Sequence, residues 1–417
     1  MGTVAIVGTF DTKGQELEFA ANRVLDAKAK IKLIDIGIFE STDSRKLKID
    51  VSNEEVARRG GKEIRDLRKG GESGESRSAA LEVMTRGLAN TLKKMIAEGE
   101  CQAILALGGS SGTSVAASAM QELPVGVPKL IVSTMASGNV SHYIGTKDIC
   151  LMYSVVDIAG LNRISRKVLT NAAFAAAGMA KRPKTIDAES NKPLVTLTMF
   201  GVTTPCVQRV QEQLESRGYE TTIFHATGAG GMAMEALIKE GLVDAVIDLT
   251  TTELTDEYVG GVLTAGPDRM EAAGARGIAQ VVVPGAMEVI NWGPENTVPA
   301  EHRTPERRLH VHNATVTVTR TNLEESRQLG KIFARKLSKA KGPVSVLLPL
   351  RGLSALDAPG QPYEDPVADQ ALFEEIEKGL AGKVTVRRVD ACINDPEFAD
   401  AVVSEFDALM KQKGKRT

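Results

Sequence analysis

Residues 3–8 read Thr-Val-Ala-Ile-Val-Gly, an apolar and β-branched run that predicts a buried strand. The polar loop TFDTKG follows directly at residues 9–14, and residues 15–27 then carry apolar side chains at helical spacing. A second apolar run covers residues 31–38. This strand, helix and strand predict a βαβ unit, which requires a parallel sheet with helices on its faces.

The same alternation continues through the first half of the chain. Residues 40–78 are polar and contain glycines, and we interpret them as a loop with a short helix. The pattern then predicts the following elements: a helix at residues 79–98, a strand at 103–107, a helix from Thr113, strands at 129–134 and 149–154, and a helix at 161–179.

Residues 181–193 are polar, contain two prolines and read as a domain linker. The pattern restarts after them, with a strand at 194–200, a turn at 201–205, a helix at 207–217 and a strand at 221–225. Further strands are predicted at 245–249, 280–283, 314–319, 344–348 and 384–389, with helices at 323–338, 366–379 and 396–412. The predicted fold class is therefore α/β, with doubly wound parallel-sheet domains at residues 1–180 and 194–417 facing each other across a cleft.

Composition excludes several classes of function. The 417 residues hold 51 Lys and Arg against 53 Asp and Glu, so bulk charge does not favour nucleic-acid binding. The 4 cysteines are far apart without C-x-x-C spacing, which fits a reducing compartment. The most apolar stretch, residues 168–180, is shorter than the roughly 18 residues of a membrane span. We expect a cytoplasmic protein that contacts neither nucleic acid nor membrane.

Ligands of open parallel sheets bind at the carboxyl ends of strands, so the loops that follow strands are the candidate sites. The first loop offers hydroxyls, a carboxylate and an ammonium, from Thr9, Asp11, Thr12 and Lys13. This set could hold a phosphate, with Lys13 neutralising it and Asp11 reaching a magnesium ion. The alternative is an ordinary turn in which Asp11 or Thr12 caps the helix.

Two more loops of the first half have small and polar residues after a strand. The stronger anion site is the glycine-rich loop, because glycines let the backbone approach an anion while N–H groups and hydroxyls hold its oxygens. Its residues are Gly108, Gly109, Ser110, Ser111, Gly112 and Thr113. The other loop suits either contact with a ligand or a simple turn, and its residues are Ser133, Thr134, Ala136, Ser137, Gly138 and Asn139.

The second half repeats the glycine-rich design at residues 225–232. His225 ends a strand and could titrate near neutral pH, while Thr227 and Gly228 open the next helix. Glu253 follows another strand and could act as a general base, or it could only favour a helix dipole. We predict His225 and Glu253 as the catalytic candidates. The roles of His302, His310 and His312 stay open, since arginines at 303, 307 and 308 disfavour a metal there and could clamp a carboxylate or phosphate.

Several blocks of the sequence resemble a known family. They are residues 8–14, 108–113, 132–138 and 152–162 in the first half, and 224–228, 248–254, 266–269 and 354–360 in the second. Together they resemble the ATP-binding family typified by the N-terminal inhibitor domain of the tomato mosaic virus resistance protein. The likeness extends from about residue 3 to residue 400. It implies two Rossmann-like subdomains, homodimerisation, and ATP with Mg²⁺ as cofactor, but no particular reaction. The family pattern has glycine at the position of Ser111.

These observations leave three functions open. The first is an ATP-binding, Mg²⁺-dependent protein with its ligand at the interdomain cleft, for which an enzymatic reaction and a second small-molecule ligand both stay open. The second is a non-catalytic binding or inhibitory module that nucleotide stabilises. The third is a carboxylate- or sugar-metabolising enzyme that uses His225, Glu253 and the arginines near residue 305.

Overall fold

The computed structural model describes residues 2–40, 47–70, 74–182 and 192–414. Contacts divide the chain into two compact units, Met1–Ala188 and Glu189–Thr417. Most of the predicted linker, residues 183–191, lies outside the described residues. Each unit has its own parallel sheet and its own apolar core.

The first unit is built on a sheet of five parallel strands. The strands are β1 (Thr3–Gly8), β2 (Lys30–Asp35), β3 (Ala103–Gly108), β4 (Lys129–Ser133) and β5 (Ile149–Tyr153), in the order β2-β1-β3-β4-β5. The helices are α1 (Phe10–Asp26), α2 (Asn53–Arg59), α3 (Ile64–Gly70), α4 (Gly74–Ala97), α5 (Ser110–Gln121), α6 (Ser141–Ile144) and α7 (Arg163–Ala180). Helices α1 and α7 cover one face of the sheet and α2 to α5 cover the other. Strand β3 is buried at every residue, as a strand covered on both faces must be.

Two boundaries of this unit differ from the sequence prediction. Strand β2 ends at Asp35 rather than at residue 38, because the Asp35 carboxylate accepts hydrogen bonds from the N–H groups of Phe10 and Gly37 and turns the chain. The region 40–78 is more helical than predicted. It contains α2, α3 and the start of α4, and the side chain of Ser52 caps α2 while Val56 is buried.

The second unit combines two sheets. Its strands are β6 (Leu194–Met199), β7 (Glu220–His225), β8 (Ala245–Thr250), β9 (Ala279–Gly285), β10 (Val289–Trp292), β11 (His310–Asn313), β12 (Val316–Arg320), β13 (Val344–Pro349) and β14 (Thr385–Val389). The parallel sheet has the order β14-β13-β9-β8-β6-β7, and the antiparallel sheet has the order β10-β12-β11. The helices are α8 (Thr204–Ser216), α9 (Ala229–Glu240), α10 (Glu253–Val259), α11 (Ala272–Arg276), α12 (Leu323–Leu337), α13 (Pro366–Leu380) and α14 (Pro396–Gly414).

The predicted fold of two α/β domains with parallel sheets is confirmed. The antiparallel sheet is an addition that the sequence analysis missed. Strand β10 has four residues, all buried, and so lacks the alternation that marks a half-exposed strand. The Trp292 Nε1–H of β10 donates to Thr319 Oγ1 of β12 at 2.8 Å, which joins the two strands through side chains as well.

Candidate functional site

A cavity of about 430 Å³ lies at the carboxyl end of the first sheet. There β1 and β3 are neighbours in the sheet, although β2 lies between them in the sequence. The chain proceeds from β1 to β2 toward one edge of the sheet and from β3 to β4 and β5 toward the other edge. Such a reversal leaves a crevice, because the connections that follow the two strands run in opposite directions. The lining residues of this switch-point cavity are Thr9, Asp11, Thr12, Lys13, Ile36, Ile38, Phe39, Arg77, Ala80, Leu81, Gly109, Ser110, Ser111, Gly112 and Val115.

Two helix N-termini form the polar wall of the cavity. Helix α1 begins after Thr9 and α5 begins after Gly109, and neither of these residues caps its helix through a side chain. The first N–H groups of a helix have no partner inside the helix, and the helix dipole makes this end positive. The polar wall therefore suits an anion. The predicted loops at residues 9–13 and 109–112 both contribute to it.

The glycines of the second loop have different functions. A Cβ on Gly108 would lie 2.5 Å from the Thr113 nitrogen, so this glycine is required for α5 to pack against β3. A Cβ on Gly109 would lie 3.9 Å from Thr134 Oγ1, and one on Gly112 would lie 3.7 Å from the Leu107 oxygen. The fold therefore does not require Gly109 and Gly112, which leave open space beside the cavity.

The two carboxylate oxygens of Asp11 differ in their hydrogen bonds. Its Oδ2 accepts a hydrogen bond from the Phe39 N–H at 3.0 Å. Its Oδ1 is buried and has no hydrogen-bond partner among the described residues. The carboxylate packs against Gly37, where a Cβ would lie 2.6 Å from Asp11 Cγ. An orphaned buried carboxylate oxygen is costly, so it fits a residue that binds a cation or a ligand donor.

Lys13 has a different environment from the predicted one. Its Nζ donates to the Ile158 carbonyl at 2.6 Å, and its backbone leaves the helical conformation with φ of −130°. Glu16 in the next turn of α1 accepts a hydrogen bond from the Gly160 N–H. The two side chains thus attach the loop between β5 and α7 to α1. Lys13 still lines the cavity, but its ammonium is held by a protein carbonyl.

The predicted loop at residues 133–139 does not line the cavity. Ser133 Oγ and Thr113 Oγ1 are buried 2.7 Å apart, so this pair joins the ends of β4 and β3 instead of facing a ligand. Asn139 Oδ1 accepts from the backbone and the hydroxyl of Ser141, which makes it a local turn residue. The structure therefore favours the turn interpretation for this loop, and contact of Thr113 and Ser133 with a phosphate stays a prediction.

Sequence reasoning missed the apolar wall of the cavity. Its side chains come from the end of β2, from α4 and from α5, and they are Ile36, Ile38, Phe39, Ala80, Leu81 and Val115. Phe39 is 57% exposed although it is aromatic. Backbone groups of residues 37–39 are bound by Asp11, Asp35, Asn53 and Arg68, so this segment presents mainly side chains to the cavity. The signal available in the sequence was Phe39 itself, an aromatic residue directly after a predicted strand.

In the second unit, the N–H groups of the glycine-rich loop bind a carboxylate of the protein itself. The N–H groups of Gly228 and Gly231 both donate to Glu253 Oε1, at 2.7 and 3.0 Å. Glu253 Oε2 accepts from Arg269 Nε at 2.6 Å, and Arg269 also makes two hydrogen bonds to Asp248. Glu253 and Arg269 are completely buried. Glu253 and Gly228 thus belong to a buried ion-pair network, and a ligand at Gly228 and a catalytic role of Glu253 stay predictions.

The switch point of the second sheet is also closed by side chains. It lies between β6 and β8, where Thr203 Oγ1 and Thr250 Oγ1 are buried 2.8 Å apart. Beside them, Thr198 Oγ1 donates to Asp248 at 2.7 Å. His225 is exposed at the end of β7, with its ring 5.7 Å from that of Phe200. Its catalytic role and that of Thr227 in binding stay predictions, as does the cleft between the halves.

The arginines near residue 305 also have internal partners. Arg307 pairs with Glu325, Arg303 Nε donates to the Val298 carbonyl at 2.9 Å, and Arg308 Nη1 donates to the Glu364 carbonyl. These bonds engage the three arginines within the second unit, and the carboxylate clamp of the third function stays a prediction. His302 is buried against Trp292, with ring centroids 4.8 Å apart.

No group of three or more His, Cys, Asp and Glu is arranged to hold a metal in the part of the chain that the structure describes. Within the same ranges, no helix is both long enough and apolar enough to cross a membrane.

Comparison with known proteins gives consistent matches over both units. Residues 2–185 match the N-terminal domain, and residues 192–410 the C-terminal domain, of the uncharacterised protein family UPF0261. A UPF0261 protein of Clostridium tetani is 45% identical over 410 residues, which cover 98% of this chain and 99% of that protein. Among solved structures, the E. coli ADP-heptose LPS heptosyltransferase II is 14% identical with a TM-score of 0.22, covering 68% of this chain and 85% of that one. So low a score carries no argument.

The ToMV resistance protein Tm-1(GCR237) of Solanum lycopersicum is 39% identical over 417 residues, which cover 97% of this chain and 55% of the tomato protein. This chain thus spans about half the length of that relative. The predicted kinship with the tomato protein is confirmed, and the chain belongs to the uncharacterised protein family UPF0261.

Proposed function

We propose that the first unit binds ATP together with Mg²⁺ in the switch-point cavity. The observation that carries this proposal is the division of the cavity into two walls. One wall consists of the N-termini of α1 and α5, and the other consists of apolar side chains that include Phe39. A nucleotide has the same division, with an anionic phosphate chain at one end and a flat, largely apolar base at the other.

The magnesium part of the proposal rests on Asp11. Magnesium is usually bound through one or two carboxylates together with phosphate oxygens and water. Asp11 lines the cavity, and its Oδ1 is a buried acceptor without a partner among the described residues. This carboxylate would hold the ion, which in turn would neutralise charge on the phosphates.

Substitution of Gly109 tests the site. A Cβ added at Gly109 would have its nearest atom, Thr134 Oγ1, at 3.9 Å, so the backbone tolerates a side chain at this position beside the cavity. Gly109→Val should therefore leave the melting temperature unchanged and abolish ATP binding in calorimetry with Mg²⁺. Gly178→Val is the matched control, because Gly178 lies exposed on α7 with no atom within 4 Å of its Cβ. Unchanged ATP affinity of the Gly109 variant would remove this loop from the site.

Turnover separates an enzyme from a non-catalytic binding module. An enzyme consumes ATP or a second substrate, whereas a nucleotide-stabilised binding module shows only a higher melting temperature when ATP binds. We propose measuring phosphate release and thermal shift on the same preparation, with and without Mg²⁺. Homodimerisation, which the family resemblance implies, is tested on that preparation by light scattering.

A further inference from the structure

Arg77 is a cationic residue of the cavity that sequence reasoning did not select. It lies on α4 and lines the cavity, and its side chain is exposed. The lining residues include two cations, Lys13 and Arg77. The ammonium of Lys13 already donates to the Ile158 carbonyl at 2.6 Å. Arg77 is the cation whose contact in the cavity is weaker and more easily exchanged.

That contact joins Arg77 to the glycine-rich loop. Its Nη2 donates to Ser111 Oγ at 3.4 Å, a long hydrogen bond to a neutral acceptor. Among the side chains that the structure describes, which exclude those of residues 69–76, no carboxylate forms an ion pair with Arg77. Ser111 is the second residue of α5, so the bond holds the guanidinium beside the positive end of this helix. Two positive groups side by side are stabilised by an anion that binds both.

We infer that Ser111 and Arg77 form a recognition pair for the phosphate chain of the ligand. Arg77 is the binding residue, because a guanidinium bonds phosphate oxygens through several donors at once. Ser111 is a positioning residue, because its hydroxyl holds the guanidinium at the helix N-terminus before the ligand arrives. This recognition pair rests on the proposed ATP site, and its two side chains would recognise the negative charge of the phosphate chain.

The experiment is a double-mutant cycle of Arg77→Ala and Ser111→Ala, measured by calorimetry with Mg-ATP at two salt concentrations. Arg77→Ala should weaken ATP binding about 10- to 100-fold, the range of one charge-assisted hydrogen-bonding group. It should also reduce the salt dependence of the affinity, because one cation is lost. Ser111→Ala should weaken binding about threefold, and Arg77→Ala should cost less in that background than in the wild type.

Lys94→Ala is the matched control, since Lys94 is an exposed cation near the other end of α4. It should change neither affinity nor melting temperature. Wild-type binding of ATP combined with unchanged affinity of Arg77→Ala would overturn the pair and leave the proposed function intact. Additive effects of the two substitutions, or an unchanged salt dependence, would also overturn it. Absence of ATP binding by the wild type would overturn both the pair and the proposed function.

Discussion

The two glycine-rich loops of this chain look alike in sequence and differ in what lies beside their N–H groups. Residues 107–114 and residues 225–232 both connect a parallel strand to a helix. In the second unit the loop N–H groups donate to Glu253, and Arg269 neutralises that carboxylate. In the first unit the corresponding helix end faces a cavity. A glycine-rich strand-to-helix loop therefore indicates an anion, but the anion can be a side chain of the same protein.

The space around the glycines differs in the same way. A Cβ on Gly230 would overlap the backbone oxygen of His225, and one on Gly231 would overlap Glu253 Oε2. In the first unit Gly109 and Gly112 have room for a Cβ. Gly230 and Gly231 of the filled loop are thus required by the fold, whereas Gly109 and Gly112, the two glycines that line the cavity, are not.

The largest expected effect is that of Glu253→Ala. It leaves two buried N–H groups without an acceptor and removes one partner of the buried Arg269. Breaking such a pair typically costs about 3–5 kcal/mol, so the free energy of unfolding of the second unit should fall by that amount. Urea denaturation measures it, with the exposed Glu212→Ala as control. ATP affinity of the folded variant should stay the same, and unchanged stability would contradict the structural role of Glu253.

Alanine at two glycines sharpens the contrast. Gly230→Ala forces a Cβ against a backbone oxygen and should lower the free energy of unfolding by about 1–3 kcal/mol. Gly112→Ala meets no close atom and should leave stability within about 0.5 kcal/mol of the wild type. Thermal denaturation of both variants is the measurement. Equal losses of stability would show that both loops are equally packed.

The buried carboxylates of the second unit should also give it a pH dependence. Burial, followed by the charge of Asp357, raises the pKa of Glu288 to about 8 and that of Asp369 to about 9. Both pKa values are higher in the folded state than in the unfolded state. The stability that these two protonated carboxyl groups contribute is therefore fully present below about pH 4 and is lost as pH rises through 8 to 9. The free energy of unfolding of the second unit should therefore fall as pH rises between about 4 and 9. Urea denaturation at pH 5, 7 and 9 checks this, and Glu288→Gln should reduce the slope.

The smallest expected effects are those of Lys13→Ala and His225→Ala. The Lys13 ammonium donates a hydrogen bond to the Ile158 carbonyl. Loss of this bond in Lys13→Ala should therefore lower the free energy of unfolding of the first unit by about 1 kcal/mol. It should weaken ATP binding less than Arg77→Ala does. His225 is exposed in the second unit, and His225→Ala should leave ATP affinity unchanged. Calorimetry ranks the three variants, and a loss of affinity in Lys13→Ala as large as that in Arg77→Ala would restore Lys13 as the main phosphate ligand.

The sequence predicted the parts of the site that depend on local order. The apolar run of β3 followed by Gly108 predicts a strand, a turn and a helix within a dozen residues, and the structure has all three. Partners that lie far apart in the chain could not be predicted in this way. Arg77 precedes Ser111 by 34 residues, and Glu253 follows Gly228 by 25, so only the folded chain brings each pair together. Neither sequence separation is typical of a motif, so neither pair could be recognised from the sequence.

The bonds from Lys13 and Glu16 to the loop of residues 158–160 have a consequence for local unfolding. That loop has no strand or helix of its own, yet its carbonyl at Ile158 and its N–H at Gly160 are both bound by α1. Its opening is thereby coupled to fraying of the first turns of α1, next to the cavity. The Gly160 amide should then exchange with deuterium at the rate of those turns rather than at that of a surface loop, and a ligand that orders α1 should slow both together.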